Sequence, residues 1–360
     1  MTLLVFGVAS CGGGSNGPGG GGGGGEANGP TAGEYLWEFS LTDGGLFFST
    51  VNRGTGQLGA PTASGGIACN SDGTIPSIAV APSNKFAFVI DKCLTSIHVY
   101  SMKGRGIALT EIPQSPYFVT GVLESLTIDP RGKFLCAIGD VPGALYQNGV
   151  SGSTGELTLL STTAETADLR EVVVDPNGTF VFVNDLTGGH IIAYHVGGSG
   201  SPSPVSGSPF TVPANGQPVN LIVEGNGKFL YAPLFSGGIA GFTVNSSTGA
   251  LSDIAGSPFP TSSNEPFALA ADSSGSFLYS IGDNLNSTID GYSIDATTGA
   301  LTTIAGSLFG TPSSPSSFAV DPSGNFLYST VRATTLADSK ILGFSIDSSD
   351  GSLSPLATSP

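Results

Sequence analysis

Charge is scarce in this chain, and positive charge scarcest of all. Charged residues are 11% of 360 positions, less than half of the roughly 25% usual for soluble domains. Lys and Arg number 11 against 27 Asp and Glu, a formal net charge of −16. With no basic cluster to offset that balance, a phosphate backbone is repelled, which excludes nucleic acid as a partner. An acidic, solvated surface that keeps a lysine-poor protein soluble accounts for the sign. Histidine is nearly absent too. Of His98, His190 and His195, the last two flank one strand five residues apart and point to opposite faces, so no metal site is expected. No Gly-x-Ser-x-Gly elbow, Walker loop or nucleotide fingerprint occurs, because the glycine-rich tracts follow no strand into a helix. The chain is expected to need no cofactor.

Glycine (55) and proline (24) are abundant instead. Such a composition suits disorder, but patterned apolar segments separate the glycines, which marks them as turns. A phrase recurs: a short apolar run, Asp-Pro-x-Gly-x-Phe-Leu-Tyr, an apolar strand, then Thr-Gly-Ala-Leu. Its clearest copies are Val320-Asp-Pro-Ser-Gly-Asn-Phe-Leu-Tyr328 and Val174-Asp-Pro-Asn-Gly-Thr-Phe-Val-Phe182. The turn glycine falls at Gly132, Gly178, Gly227, Gly275 and Gly324, with Asn84 in the same slot and a degenerate copy at Gly33-Glu-Tyr-Leu-Trp37. Successive spacings are 51, 48, 46, 49, 48 and 49 residues. A fixed period of this length filled with short strands signals a β-propeller. Seven copies predict an all-β, seven-bladed propeller of four-stranded antiparallel blades.

Within one copy, four strands a to d run from the axis outward. Strand a is apolar throughout, as in Ser317-Phe-Ala-Val320, which suits burial on both faces. Strand b carries paired rings on one face: Phe326/Tyr328, Phe277/Tyr279, Phe229/Tyr231, Phe180/Phe182, Phe86/Phe88 and Tyr35/Trp37. These rings are expected to pack each blade on its neighbour. Cys136 takes the ring slot in its own copy and reads as a buried thiol. Aspartates such as those of Asp347-Ser-Ser-Asp-Gly351 lack the oxygen spacing of a calcium loop and read as Asx turns. Nothing apolar precedes Gly33 to serve as its strand a, so the first blade is expected to lack its innermost strand.

The a–b and c–d turns are stereotyped and share one face of the ring. The d–a and b–c loops share the other and vary, as binding loops on a rigid scaffold do. Cys69 and Cys93 both fall in this variable set, which permits a disulfide in an oxidising compartment. Seven and eight positions before each turn glycine, at the mouth of the axial channel, stand Glu124-Ser125, Arg170-Glu171 and Val219-Asn220 on successive blades. A carboxylate pair flanking an arginine suits a general base with an oxyanion or carboxylate clamp. It equally suits a polar channel that satisfies itself. Glu124, Arg170 and Glu171 are the candidate catalytic residues, and with Asn220 the candidate binding residues.

These repeats resemble the seven-bladed propellers of the lactonase and YVTN-repeat group, which includes 6-phosphogluconolactonase-like proteins. The likeness covers about residues 33 to 360. It implies the fold, and a lactone hydrolase as one activity. Members of that group often carry a His at the start of an inner strand and Asp-Leu-Gly after strand b. This chain keeps Asp185-Leu-Thr-Gly188, but Arg170 and Glu171 stand where the His is expected.

The N-terminus reads as an export signal. Leu3 to Ser10 is an apolar run too short to span a bilayer, and Val8-Ala-Ser-Cys11 resembles the bacterial lipobox, whose cysteine is lipidated. No Lys or Arg precedes the run, and plain secretion stays open. Residues 1–11 are thus assigned to a signal peptide, 12–33 to a glycine-rich tether and 34–360 to the propeller. The expected protein is monomeric and sits in the cell envelope, touching the membrane only through a lipid anchor, or else is secreted. Its loop face binds a small molecule or an envelope protein as a scaffold, or hydrolyses a sugar lactone.

Overall fold

A computed structural model describes residues 7–10, 34–40, 45–66, 77–92, 94–103, 108–140, 143–165, 167–196, 201–282, 288–311, 315–331 and 341–356. The described strands form seven antiparallel sheets, numbered here in chain order. Sheet 1 comprises Gly7–Ser10, Glu34–Ser40, Gly45–Val51 and Thr62–Gly66. The strands of sheet 2 are Ile78–Val80, Phe86–Asp91, Ser96–Lys103 and Ala108–Glu111. Sheets 3 and 4 open with Leu123–Ile128 and Leu169–Val174, sheet 5 with Ile222–Val223, and sheets 6 and 7 with Pro266–Ala271 and Pro315–Val320. Each runs a-b-c-d in order, so every connection is a hairpin or a step to the next sheet. The a strands of neighbouring sheets touch in succession, and Gly7–Ser10 lies between those of sheets 7 and 2. The architecture is an all-β propeller of four-stranded antiparallel blades.

Two expectations are corrected. Sheet 1 does not lack its innermost strand: Gly7–Ser10 pairs antiparallel with Glu34–Trp37 along Gly7↔Trp37 to Ser10↔Glu34. The sequence hid this because no Asp-Pro-x-Gly turn joins the two strands; a glycine-rich tract separates them. Nor are there seven equivalent blades. Six, sheets 2 to 7, are built from the full repeat with its a–b turn, while sheet 1 is assembled differently. Tyr35 and Trp37 have side chains outside those described.

The repeat residues do three jobs. The turn acid caps its own hairpin: Asp321 Oδ1 accepts from the amides of Asn325 (2.8 Å) and Phe326 (2.7 Å), and Oδ2 from that of Ser323 (3.0 Å). Asp272 and Asp175 repeat this pattern, and Glu224 substitutes for them in sheet 5. Buried carboxylates are tolerated here because several donors satisfy them. Second, the b-strand rings fill the spaces between sheets. Phe229 and Tyr231 pack against Leu278 and Tyr292, and Phe277 and Tyr279 against Leu327 and Phe344. Third, the left-handed glycine of each described c–d turn abuts the first ring of the preceding blade. Gly299, at φ +73°, meets Phe229, and Gly351, at φ +75°, meets Phe277, so neither a β-carbon nor a left-handed L residue fits. Cys136 is fully buried in the ring slot, and burial pushes its thiol far up.

A serine not singled out in the sequence joins the repeat. Ser208, Ser257 and Ser307 each accept from a mid-strand c amide, of Ala193, Gly241 and Gly291, all at 2.9 Å. Ser115 does the same for Val99 at 3.0 Å. The bond lashes the d–a loop to the blade it leaves, so the variable loops depart from fixed anchor points.

Candidate active site

The innermost strands of sheets 3, 4, 6 and 7 shift register where they begin, at Leu123/Ser125, Leu169/Val172, Pro266/Ala268 and Pro315/Ser317. An extra residue there re-aims the side chains beside it. In sheet 4 the displaced pair is Arg170–Glu171. Its amides do not go unpaired: the Asn184 carboxamide oxygen accepts from Arg170 N (3.2 Å) and Glu171 N (2.6 Å). Asn184 is fully buried and donates from Nδ2 to the Pro218 carbonyl of the next sheet, at 2.6 Å. One amide side chain thus fixes the bulge against both its own blade and its neighbour.

The four residues expected from the sequence separate into two groups. Glu171 turns toward the inner strands on either side. Ser125 Oγ donates to its Oε1 at 2.7 Å, and Asn220 Nδ2 to its Oε2 at 3.1 Å. Ser125, Glu171 and Asn220 occupy the same repeat position on three successive sheets, so the bonds run around the axis. Ser77, in the same position on sheet 2, continues the line by accepting from Leu126 N at 3.2 Å. Glu171 keeps a partial opening to solvent but is otherwise enclosed by protein. Desolvation outweighs its hydrogen bonds from Ser125, the Val172 backbone and Asn220, and its carboxyl is pushed up to about 7.

Arg170 turns the other way. Its Nε lies 2.8 Å from Asp168 Oδ1, Nη2 3.8 Å from Asp140 Oδ2 and Nη1 4.0 Å from Glu124 Oε2. Glu124 is held more tightly by Lys92, at 2.7 Å. Asp168 is raised, by desolvation first and by Asp140 beside it, against the lowering effect of Arg170. Asp140, Asp168 and Lys92 went unnoticed in the sequence because each lies in a loop of variable length. Only Asp185, whose Oδ1 accepts from Gly188 N at 2.9 Å and from Asp168 N at 3.3 Å, belongs to a motif read there.

This arrangement offers a carboxylate that titrates near neutrality, an amide and a hydroxyl in contact with it, and a separate arginine bracketed by acids. No group of three or more metal-binding side chains occurs among the described residues. His98 Nδ1 is 2.7 Å from Glu111 Oε1, and His195 packs edge-on against Phe180. Cys11, Cys69 and Cys93 lie outside the described residues, and no helix among those described is long and apolar enough to cross a membrane.

No family model matches the chain, and no curated protein does. Solved structures do. A candidate 6-phosphogluconolactonase from Bacteroides fragilis superposes with TM-score 0.75 at 17% identity, covering 92% of this chain and 96% of its own. A periplasmic gluconolactonase from Pseudomonas aeruginosa gives 0.72 at 17% identity, covering 89% and 93%. A second candidate 6-phosphogluconolactonase, from Bacteroides uniformis, gives 0.73 at 16%, covering 87% and 91%. At such identities the likeness is one of fold.

Proposed function

We propose that the protein hydrolyses a sugar lactone at the loop-face mouth of its axial ring, with Glu171 as general base. The carrying observation is the Glu171 carboxyl, held by Ser125 and Asn220 and raised to about 7. A base working near neutral pH serves best when its own affinity for a proton is matched to that pH. Glu171 takes a proton from water, and the oxygen of that water attacks the lactone carbonyl. Asn220 Nδ2 carries a second hydrogen, suited to the oxyanion that forms. The proton returns to the ring oxygen as the acyl–oxygen bond breaks, leaving the open hydroxy acid. Fold likeness to two candidate 6-phosphogluconolactonases and a gluconolactonase supports the same chemistry. The test is turnover of an aldonolactone panel by the purified chain, abolished by Glu171→Ala. Rates at the buffer background for every lactone would remove this reading.

A second reading, a ligand-binding or interaction scaffold without chemistry, is favoured by an apolar lip on the same face. Leu94, Phe118 and Val122 are exposed. The Val119 N to Thr95 O bond (2.9 Å) ties the segments carrying Leu94 and Phe118 together, and the Asp140 N to Val122 O bond (2.9 Å) ties Val122 to the residue beside Arg170. We further propose that sheet 1 counts as a seventh blade. The envelope location, as a monomer lipidated at Cys11 or secreted, rests on the lipobox-like sequence and on the periplasmic neighbour.

A further inference from the structure

Charge on the loop face is distributed in a way the reaction does not require. Of the described lysines and arginines, Lys92 and Arg170 are carried by this face. Lys85, Arg131, Lys133 and Lys228 sit beside the a–b turns, and Arg53 in a c–d turn, on the opposite one. Both loop-face cations are already engaged: Lys92 with Glu124, and Arg170 with Asp168, Asp140 and Glu124. The cluster therefore sums to one negative charge before Glu171 or Asp185 is added. The Nη1 and Nη2 atoms, the edge with which an arginine grips phosphate or carboxylate bidentately, face Glu124 and Asp140 instead.

We propose that this cluster is a specificity device that rejects anionic substrates, so that the site takes an uncharged lactone and discriminates against its phosphorylated form. The inference rests on the hydrolase reading for its site, and names Asp140 and Asp168 as the residues that set the preference. A phosphate reaching this cluster, which adjoins Glu171 along the same bulge, meets Asp140, Asp168 and Glu124, and the two cations there, Lys92 and Arg170, are already paired. To recruit Arg170 it must displace carboxylates already paired with that guanidinium. Like charges brought together in a partly desolvated site penalise the wrong ligand strongly, whereas an uncharged polyol meets only hydrogen-bonding groups.

The experiment compares initial rates for glucono-1,5-lactone and its 6-phosphate, with the full chain and with an Asp140→Asn/Asp168→Asn double variant, at low and high salt. A preference of about 100-fold in kcat/KM for the uncharged lactone is expected at low salt, narrowing with added salt as exposed charges are screened. In the double variant the gap should fall to about ten-fold or less, chiefly by improved kcat/KM for the phosphate ester. Circular dichroism and retained turnover of the uncharged lactone show that the variant is folded. Equal or better hydrolysis of the phosphate ester by the native chain overturns the inference while leaving the hydrolase reading standing. An unchanged gap in the folded variant also overturns it. If neither lactone turns over, the hydrolase reading fails separately, and calorimetric titration with glucose and glucose 6-phosphate decides this one: tighter binding of glucose upholds it, and tighter binding of the phosphate, or none of either, overturns it.

Discussion

The Tyr328 hydroxyl donates to the Gly56 carbonyl at 2.7 Å across a sequence gap of 272 residues. Between blades adjacent in sequence the same bond is local: Tyr231 donates to Gly299 and Tyr279 to Gly351, each at 2.8 Å. The last blade therefore grips sheet 1 with the contact that joins sheets 5 to 6 and 6 to 7, and the ring closes by repetition instead of a special latch. Gly56 has the same left-handed φ, +69°, and the Phe326 ring sits where its β-carbon would be.

Breaking this contact tests closure. Tyr328→Phe should cost about 1 kcal/mol, the usual worth of one buried hydrogen bond. Gly56→Ala adds left-handed strain to a collision with Phe326 and should cost about 2–3 kcal/mol. Chemical denaturation of both variants, with Tyr279→Phe and Gly351→Ala as references, measures this. Closure by repetition requires matching losses at the two interfaces. Little or no loss at Gly56, beside a full loss at Gly351, would mean that the ring is not held shut there.

Much of this interface is legible in the sequence because every residue in it repeats. A ring two residues before another ring, or a glycine in a fixed slot, recurs six times and can be read without knowing its partner. The turn acids are only half legible. Their position shows in Asp321 and Asp272, but their role as acceptors for three amides appears only with the backbone folded around them. The site reads worse for the opposite reason. Glu171, Ser125 and Asn220 share a repeat position and could be aligned, yet Asp140, Asp168 and Lys92 come from loops whose lengths differ, and no spacing rule predicts that they converge on Arg170 and Glu124.

Gly7–Ser10 carries a conflict that experiment can resolve. As the inner strand of sheet 1 it pairs with Glu34–Trp37, but cleavage before Cys11, as a lipobox implies, would remove it. Deleting residues 1–10 should therefore leave the inner edge of Glu34–Ser40 unpaired and raise its amide hydrogen exchange relative to the b strands of sheets 2 to 7. Unchanged protection at Glu34–Ser40 would show that the strand is dispensable, in keeping with its removal on export. Faster exchange would mean that processing and blade completion compete.

Glu171 links stability to activity with opposite signs. Its folded-state value of about 7 lies above the ordinary 4.5, so the folded protein holds this proton more tightly than the unfolded chain. The stability it contributes is complete below about pH 4.5 and is lost as pH rises toward 7, after which it no longer varies. Activity runs the other way, because only the ionised carboxylate accepts a proton from water. For the enzyme-catalysed rate, kcat/KM should rise with a midpoint near 7, after subtraction of spontaneous lactone hydrolysis. Glu171→Gln keeps a neutral group of the same shape beside Ser125 and Asn220. It should abolish turnover while making the protein more stable than the native chain at pH 8, and it should flatten the decline in stability between pH 4.5 and 7. Thermal melts across this range, set beside the rate profile, measure both effects. A native stability curve with no decline over the window, or a variant less stable than the native chain at pH 8, would show that the buried carboxylate is not strained in the way its enclosure requires.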